Sequence, residues 1–301
     1  MSRHSFKEWF LATRPWSFPA SVMPVLVSIA YVGWLAHGGE FENVRWINGV
    51  LAVLAMALFQ AAGNTWSDLH DYRSGVDTAE GYGVKILTSG DFSEREVKRL
   101  SLGLLAGAVA LGLCICVMSG PWTGALGIAG VALTVFYPWL KYRALGDVDI
   151  FLTYGVLPTL GTAYVLTGSM VWSALWLSIP VGLITVAILH VNNTRDVVTD
   201  GNANITTFAM LIGHNASRAV YIAELLVPFA AVALLVVFGV LPAWTLLSLI
   251  ALAPAMKNVR AMNGSTATDL GGILALDGAT AQLQLVFSLL LCVSFIIASI
   301  I

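Results

Sequence analysis

The chain has 301 residues, 58% of them hydrophobic and 11% charged, with 15 Lys and Arg against 17 Asp and Glu and a mean hydropathy of +0.83. Soluble domains carry about 25% charged residues, so a water-soluble domain is excluded and the chain reads as an integral membrane protein. No nucleic-acid partner is expected.

Residues 1–16 read as an interfacial segment, helical over 5–14, with Phe6, Trp9 and Phe10 on one face and Lys7 and Arg14 off it. Nine apolar runs follow, near 18–36, 46–66, 97–118, 122–140, 147–168, 171–193, 216–239, 241–260 and 278–300, each about long enough to cross a hydrocarbon core of about 30 Å as a helix. The expected fold is therefore all-α, a polytopic bundle of nine transmembrane helices in a single membrane domain over 1–301. Turn signals such as Ser119-Gly120-Pro121 and Thr167-Gly168-Ser169 keep most connections tight. Only 67–96 and 194–215 are long connections. Cys114, Cys116 and Cys292 fall inside spans without a metal-binding pattern and read as small buried hydrophobes.

Charge tests this topology. Arg3, Lys7 and Arg14 precede the first span, and the remaining Lys and Arg follow the second, fourth, sixth and eighth; Arg45 alone lies opposite. That bias places the N-terminus and both long connections in the cytoplasm.

Those connections begin with related acidic stretches, Asn64-Thr-Trp-Ser-Asp68-Leu-His-Asp71 and Asn192-Asn193-Thr-Arg195-Asp196-Val-Val-Thr-Asp200. Their shared N-x-x-x-D spacing suggests an internal repeat. A carboxylate near the hydrocarbon costs about 2.5–3.5 kcal/mol, so four of them need a compensating cation or a polar cavity. Asp68 and Asp71 share a helical face with Asn64, and Asp196 and Asp200 share one with Asn192. Two such faces meeting at one mouth suit magnesium, which takes oxygen ligands and commonly substrate phosphates. A phosphorylated substrate is implied, with Lys85, Lys141, Arg143 and Arg195 as candidate phosphate contacts. His190 is open between a base and a satisfied buried histidine. Tyr137 and Tyr154 are candidates for an aromatic pocket, Tyr142 for the interfacial belt, and Asp147 and Asp149 for caps at a helix start.

These residues resemble the UbiA-type intramembrane prenyltransferases. Ala12-Thr-Arg14-Pro15 is similar to the family's opening, Asn64 through Asp77 to its first Asp motif, Lys85 to Gly90 to the basic-to-glycine loop, and Ala144-Leu-Gly146-Asp147 to its mid-chain segment. The double Asn in Asn192-Asn193-Thr-Arg195-Asp196 resembles the MenA branch, which prenylates dihydroxynaphthoate. Ser67, and the stretch Asn204-Ile205-Thr206-Thr207-Phe208, which lacks the branch's Lys-Arg-Thr, depart from that branch.

The resemblance implies a helix bundle around a central cavity, two Mg2+ ions and a polyprenyl diphosphate donor. Asn64, Asp68, Asp71, Asp196 and Asp200 are the metal residues it implies, with Asp77 a lesser candidate. Asp68, Asp71, Asp196 and Asp200 are catalytic on this reading. Arg14, Asn64, Lys85, Tyr137, Lys141, Asn192, Asn193 and Arg195 are the substrate contacts. The expected function is magnesium-dependent transfer of a polyprenyl chain to an aromatic acceptor, 1,4-dihydroxy-2-naphthoate with decarboxylation, for menaquinone synthesis in a bacterial inner membrane. Alternatives are another acceptor (a phenolic acid, a tetrapyrrole or a glycerol phosphate) and a cation or metabolite transporter.

Overall fold

The computed structural model describes residues 4–75, 86–203 and 205–301. Among these, order is helical throughout, with one isolated bridge between Arg143 and Thr206. A short helix α1 (Phe6–Ala12) precedes α2 (Phe18–His37), α3 (Trp46–Ser74), α4 (Glu94–Ser119) and α5 (Pro121–Lys141). Next, α6 (Gly146–Phe151) runs through a π turn at Leu152–Val156 into α7 (Leu157–Thr167). After α8 (Leu175–Arg195) come α9 (Val197–Asn202), α10 (Phe208–Ile212), α11 (His214–Val237), α12 (Leu252–Asn263) and α13 (Leu276–Ile300).

Among the described residues, eight helices are long and apolar enough to cross a membrane, and they coincide with eight of the nine predicted runs. The run at 241–260 differs: a 3-10 stretch, Ala243–Ala251, leads into α12. Pro254 has no N–H to return to the Ile250 carbonyl. The Thr245 and Ser248 hydroxyls bond back three residues, to the Pro242 and Thr245 carbonyls, at 2.7 Å each. Both features favour the tighter helix over a continuous α-helix.

The bundle is organised around α8. Its Leu177, Val181, Ile184, Ala187 and Val191 are buried in a core shared with Tyr31 of α2, Tyr221 and Leu225 of α11 and Phe287 of α13. By contrast, α4 and α5 leave large apolar residues outside, including Val117 at 89% and Ile128 at 74% exposure, as a lipid-facing surface requires. Between α3, α4, α5 and α7 lies an apolar groove of about 710 Å³, lined by residues such as Phe59, Leu113, Val131 and Leu157.

One close approach fixes the next layer. A Cβ on Gly182 of α8 would sit 3.0 Å from the Gly155 Cα in the π turn, so both positions need glycine for the helices to touch. The π turn has a local cause. Pro158 cannot donate to the Tyr154 carbonyl, and the Leu157 N–H reaches back five residues to Leu152.

The N-terminal helix departs from its sequence reading. Trp9 and Ala12 turn inward onto Leu69, Leu87, Phe92 and Val97, while Phe6 and Phe10 remain exposed. Only part of the predicted aromatic face is therefore turned outward.

Candidate active site

The first acidic stretch is helical, not loop: α3 continues to Ser74 and closes on Gly75 in the left-handed region, φ +75°. Asp68 and Asp71 thus lie one turn apart on a helix, 1% and 8% exposed. Arg14 donates to Asp68 through a close ion pair. Its own backbone is left-handed, φ 56°, directly before Pro15, a conformation costing about 1–2 kcal/mol for a residue with a Cβ. Local hydrogen bonds hold it there. Both the N–H and hydroxyl of Ser17 donate to the Arg14 carbonyl at 2.9 Å. The Asn64 amide donates to the Thr13 carbonyl and the Ser17 hydroxyl, also at 2.9 Å, strapping the segment onto α3.

Asp71 accepts from the Tyr142 hydroxyl at 2.6 Å, Ser67 at 3.3 Å and Lys141 at 3.5 Å. Tyr142 therefore belongs to the site, not to an interfacial belt. Burial and the Asp71 charge push its hydroxyl above the usual phenol range.

The second acidic stretch bends at Asp196, between α8 and α9, yet keeps its i to i−4 bonds: Asp196 N–H to Asn192 and Asp200 N–H to Asp196, at 2.9 and 2.8 Å. Arg195 grips Asp196 with two bonds, of 2.7 and 2.9 Å, and reaches the Leu274 carbonyl at 3.2 Å and Asp277 at 3.3 Å. This buried guanidinium locks α8 to the start of α13. Buried Asp200 Oδ2 and Asn192 Oδ1 have no hydrogen-bond partner.

Both stretches open on one cavity of about 350 Å³. Its wall includes Arg14, Asn64, Asp71, Tyr137, Lys141, Asn192, Asn193, Arg195, Asp196 and Asp200. Asp68 joins the site through Arg14. Lys85 and Asp77 lie outside the described residues. The wall also contains Gln60, Asp149, Thr153, Tyr154 and Asp277. Of these, Gln60 and Asp277 carried no sequence motif, although an acid opening the last apolar run was a usable signal. Asp149, read as a cap, is 2% exposed and faces the cavity, whereas Asp147 meets His190.

Among the described residues, six carboxylates (Asp68, Asp71, Asp149, Asp196, Asp200 and Asp277) face three cations (Arg14, Lys141 and Arg195). The deficit of positive charge, the all-oxygen donors and the two unpartnered oxygens fit a hard divalent cation. Burial pushes Asp200 up to about 6, opposed by Lys141. Its ionised form is thus penalised in the fold, and the penalty lifts as pH falls through that value, while cation binding needs the ionised form. Apparent Mg2+ affinity should accordingly weaken below pH about 6, by up to about tenfold per unit for this one proton. Titrating activity with Mg2+ at several pH values checks this; a flat dependence down to pH about 5 would remove Asp200 from the site.

Residues 21–270 match the sequence model of the UbiA prenyltransferase family. The chain belongs to that family. UbiA prenyltransferase domain-containing protein 1 of Mus musculus is 33% identical over 238 residues, covering 75% of this chain and 68% of its own. The 1,4-dihydroxy-2-naphthoate octaprenyltransferase of Mycobacterium leprae is 28% identical over 275 residues, 90% of each chain. Among solved structures, a UbiA homolog from Archaeoglobus fulgidus bound to DMAPP and Mg2+ aligns with a TM-score of 0.66 at 14% identity, covering 95% of this chain and 99% of that one. The apo UbiA homolog from Aeropyrum pernix aligns at 0.63 and 17% identity, covering 91% and 97%. This UbiA member is a membrane-embedded prenyltransferase with the fold those structures share.

Proposed function

We propose that this UbiA enzyme uses Mg2+ to transfer a polyprenyl chain from its diphosphate to an aromatic acceptor, 1,4-dihydroxy-2-naphthoate, with loss of the acceptor carboxylate. The observation that carries the reading is the shared cavity, where two N-x-x-x-D stretches meet beside Arg14, Lys141 and Arg195. Asn64, Asp68, Asp71, Asp196 and Asp200 are assigned to hold the metal. Bound magnesium supplies Lewis-acid neutralisation of the departing diphosphate.

Arg14, Lys141 and Arg195 contribute fixed positive charge where negative charge develops on the leaving group. Lys85 is assigned the same role from its motif. Tyr137, Tyr154 and the apolar groove exclude water from the allylic chain as its C–O bond weakens. Asp149 Oδ1, buried and without a hydrogen-bond partner, offers an acceptor for a ring hydroxyl, with Asn193 nearby in the same wall. The naphthoate assignment is supported by the Asn192-Asn193 pair and by the Mycobacterium leprae relative. Charge sidedness supports a cytoplasmic mouth, in a bacterial inner membrane.

Purified protein supplied with polyprenyl diphosphate, dihydroxynaphthoate and Mg2+ should release diphosphate in step with a prenylated product that has lost the carboxylate, identified by mass. Release only with another phenolic acceptor would replace the naphthoate. Ion flux without any diphosphate release would replace the enzyme reading by transport.

A further inference from the structure

Outside the cavity, α6, α8 and α11 bury a second polar cluster. His190 is 0% exposed. Its Nδ1 lies 2.6 Å from Asp147 Oδ2, and its Nε2 lies 3.1 Å from the Ser217 carbonyl and 2.8 Å from the Ser217 hydroxyl. Glu224 of α11, 8% exposed, completes the group: one ligand atom from each of Asp147, His190 and Glu224 lies within 4.8 Å of the others. None of the three lines the cavity.

The cluster is short of positive charge and of hydrogen-bond donors. Asp147 Oδ1 and Glu224 Oε2 are both buried without a partner. Among the described residues no Lys or Arg is paired with either carboxylate; the one ion pair is His190 with Asp147. An imidazolium balances only one of two carboxylates. Protonating Glu224 would remove one negative charge but bring no donor from any other residue to Asp147 Oδ1. A divalent ion meets both needs at once.

We propose that Asp147, His190 and Glu224 bind a divalent transition-metal ion of the zinc or manganese class. Imidazole with two carboxylates suits such ions, whereas Mg2+ and Ca2+ prefer all-oxygen sites. The Nε2–H of His190 donates to the Ser217 carbonyl, the outer contact that orients a metal-bound imidazole and leaves Nδ1 for the ion. The ion takes the place of the proton between Nδ1 and Asp147, whose separation opens from 2.6 Å toward the spacing of two ligands on one ion. Thr194 bonds the Ser217 hydroxyl and the His190 carbonyl, so the bound ion fixes the turn of α8 that carries Asn193 and Arg195.

The test uses the full chain in detergent, tag removed, stripped with chelator and then exposed to Zn2+ or Co2+ alone. About one ion per chain should survive gel filtration, Co2+ should give a visible ligand-field spectrum, and Zn2+ should raise the melting temperature. Glu224→Gln and His190→Gln should lose the ion and the thermal shift, while Asp68→Asn, altered only in the cavity, keeps both. Retention of equal metal by Glu224→Gln and wild type would overturn the site. So would failure of wild type to take up either ion, which decides the matter even if the variants do not insert.

Discussion

Replacing Asp68 or Asp196 with alanine should lower prenyl transfer about a thousandfold or more and leave the chain in the membrane fraction. The size follows from what is lost. Each carboxylate is assigned both to the metal, worth several kcal/mol in charge stabilisation, and to placing a cation: Arg14 beside Asp68, and Arg195 beside Asp196 through two hydrogen bonds. Removing Asp68 takes an ion pair from the half-buried Arg14, and removing Asp196 loosens Arg195, which keeps Asp277, so the donors meant for the diphosphate shift. Insertion depends on the apolar content of spans such as α3 and α8, which neither substitution lowers. Diphosphate release from membranes containing Mg2+ is the measurement; a wild-type rate in either variant would refute the assigned roles.

Gly182→Val should be the most damaging change among positions that touch neither substrate nor metal. Its Cβ would meet the Gly155 Cα and the Phe151 ring, all at 3.0 Å. Backbone cannot give way as a flexible side chain can, so the cost is about 1–3 kcal/mol or more. Relief requires α8 to part from the π turn. That movement shifts Asn192 and Asn193 relative to Asp149 and Tyr154, which line the same cavity. Thermal melting in detergent should fall and activity should fall with it. Gly182→Ala should show the same effect more weakly, and unchanged melting of the valine variant would contradict the close approach.

The residues that sequence could identify are those whose chemistry conflicts with a membrane. Asp68, Asp71, Asp196 and Asp200 stand out because carboxylates are costly there, and Arg195 because it neighbours them; Lys141 is marked only by its cytoplasmic connection and by the family resemblance. Seven spans became long helices much as their apolar length required, and the fifth did so through a π turn. The eighth did not, because hydropathy measures apolar content and is blind to Pro254 and to hydroxyls that tighten the helix. Tyr142 and Asp149 were misassigned for another reason: an aromatic or an acid at a helix end reads alike whether it faces headgroups or a cavity. Asp277 lies far along the chain from Arg195. Such a pair exists only once α8 and α13 are laid side by side.

The Arg14–Asp68, Lys141–Asp71 and Arg195–Asp196 pairs make substrate loading an exchange of counter-ions. A lone diphosphate would strip cations from carboxylates and leave those carboxylates bare; a lone metal ion would do the reverse. Arriving together, they hand each side a new partner. Donor and metal should therefore each raise the other's affinity by the same factor, as reciprocal linkage requires, and because carboxylates outnumber cations in the site, the metal should enter the empty site more readily than the bare diphosphate.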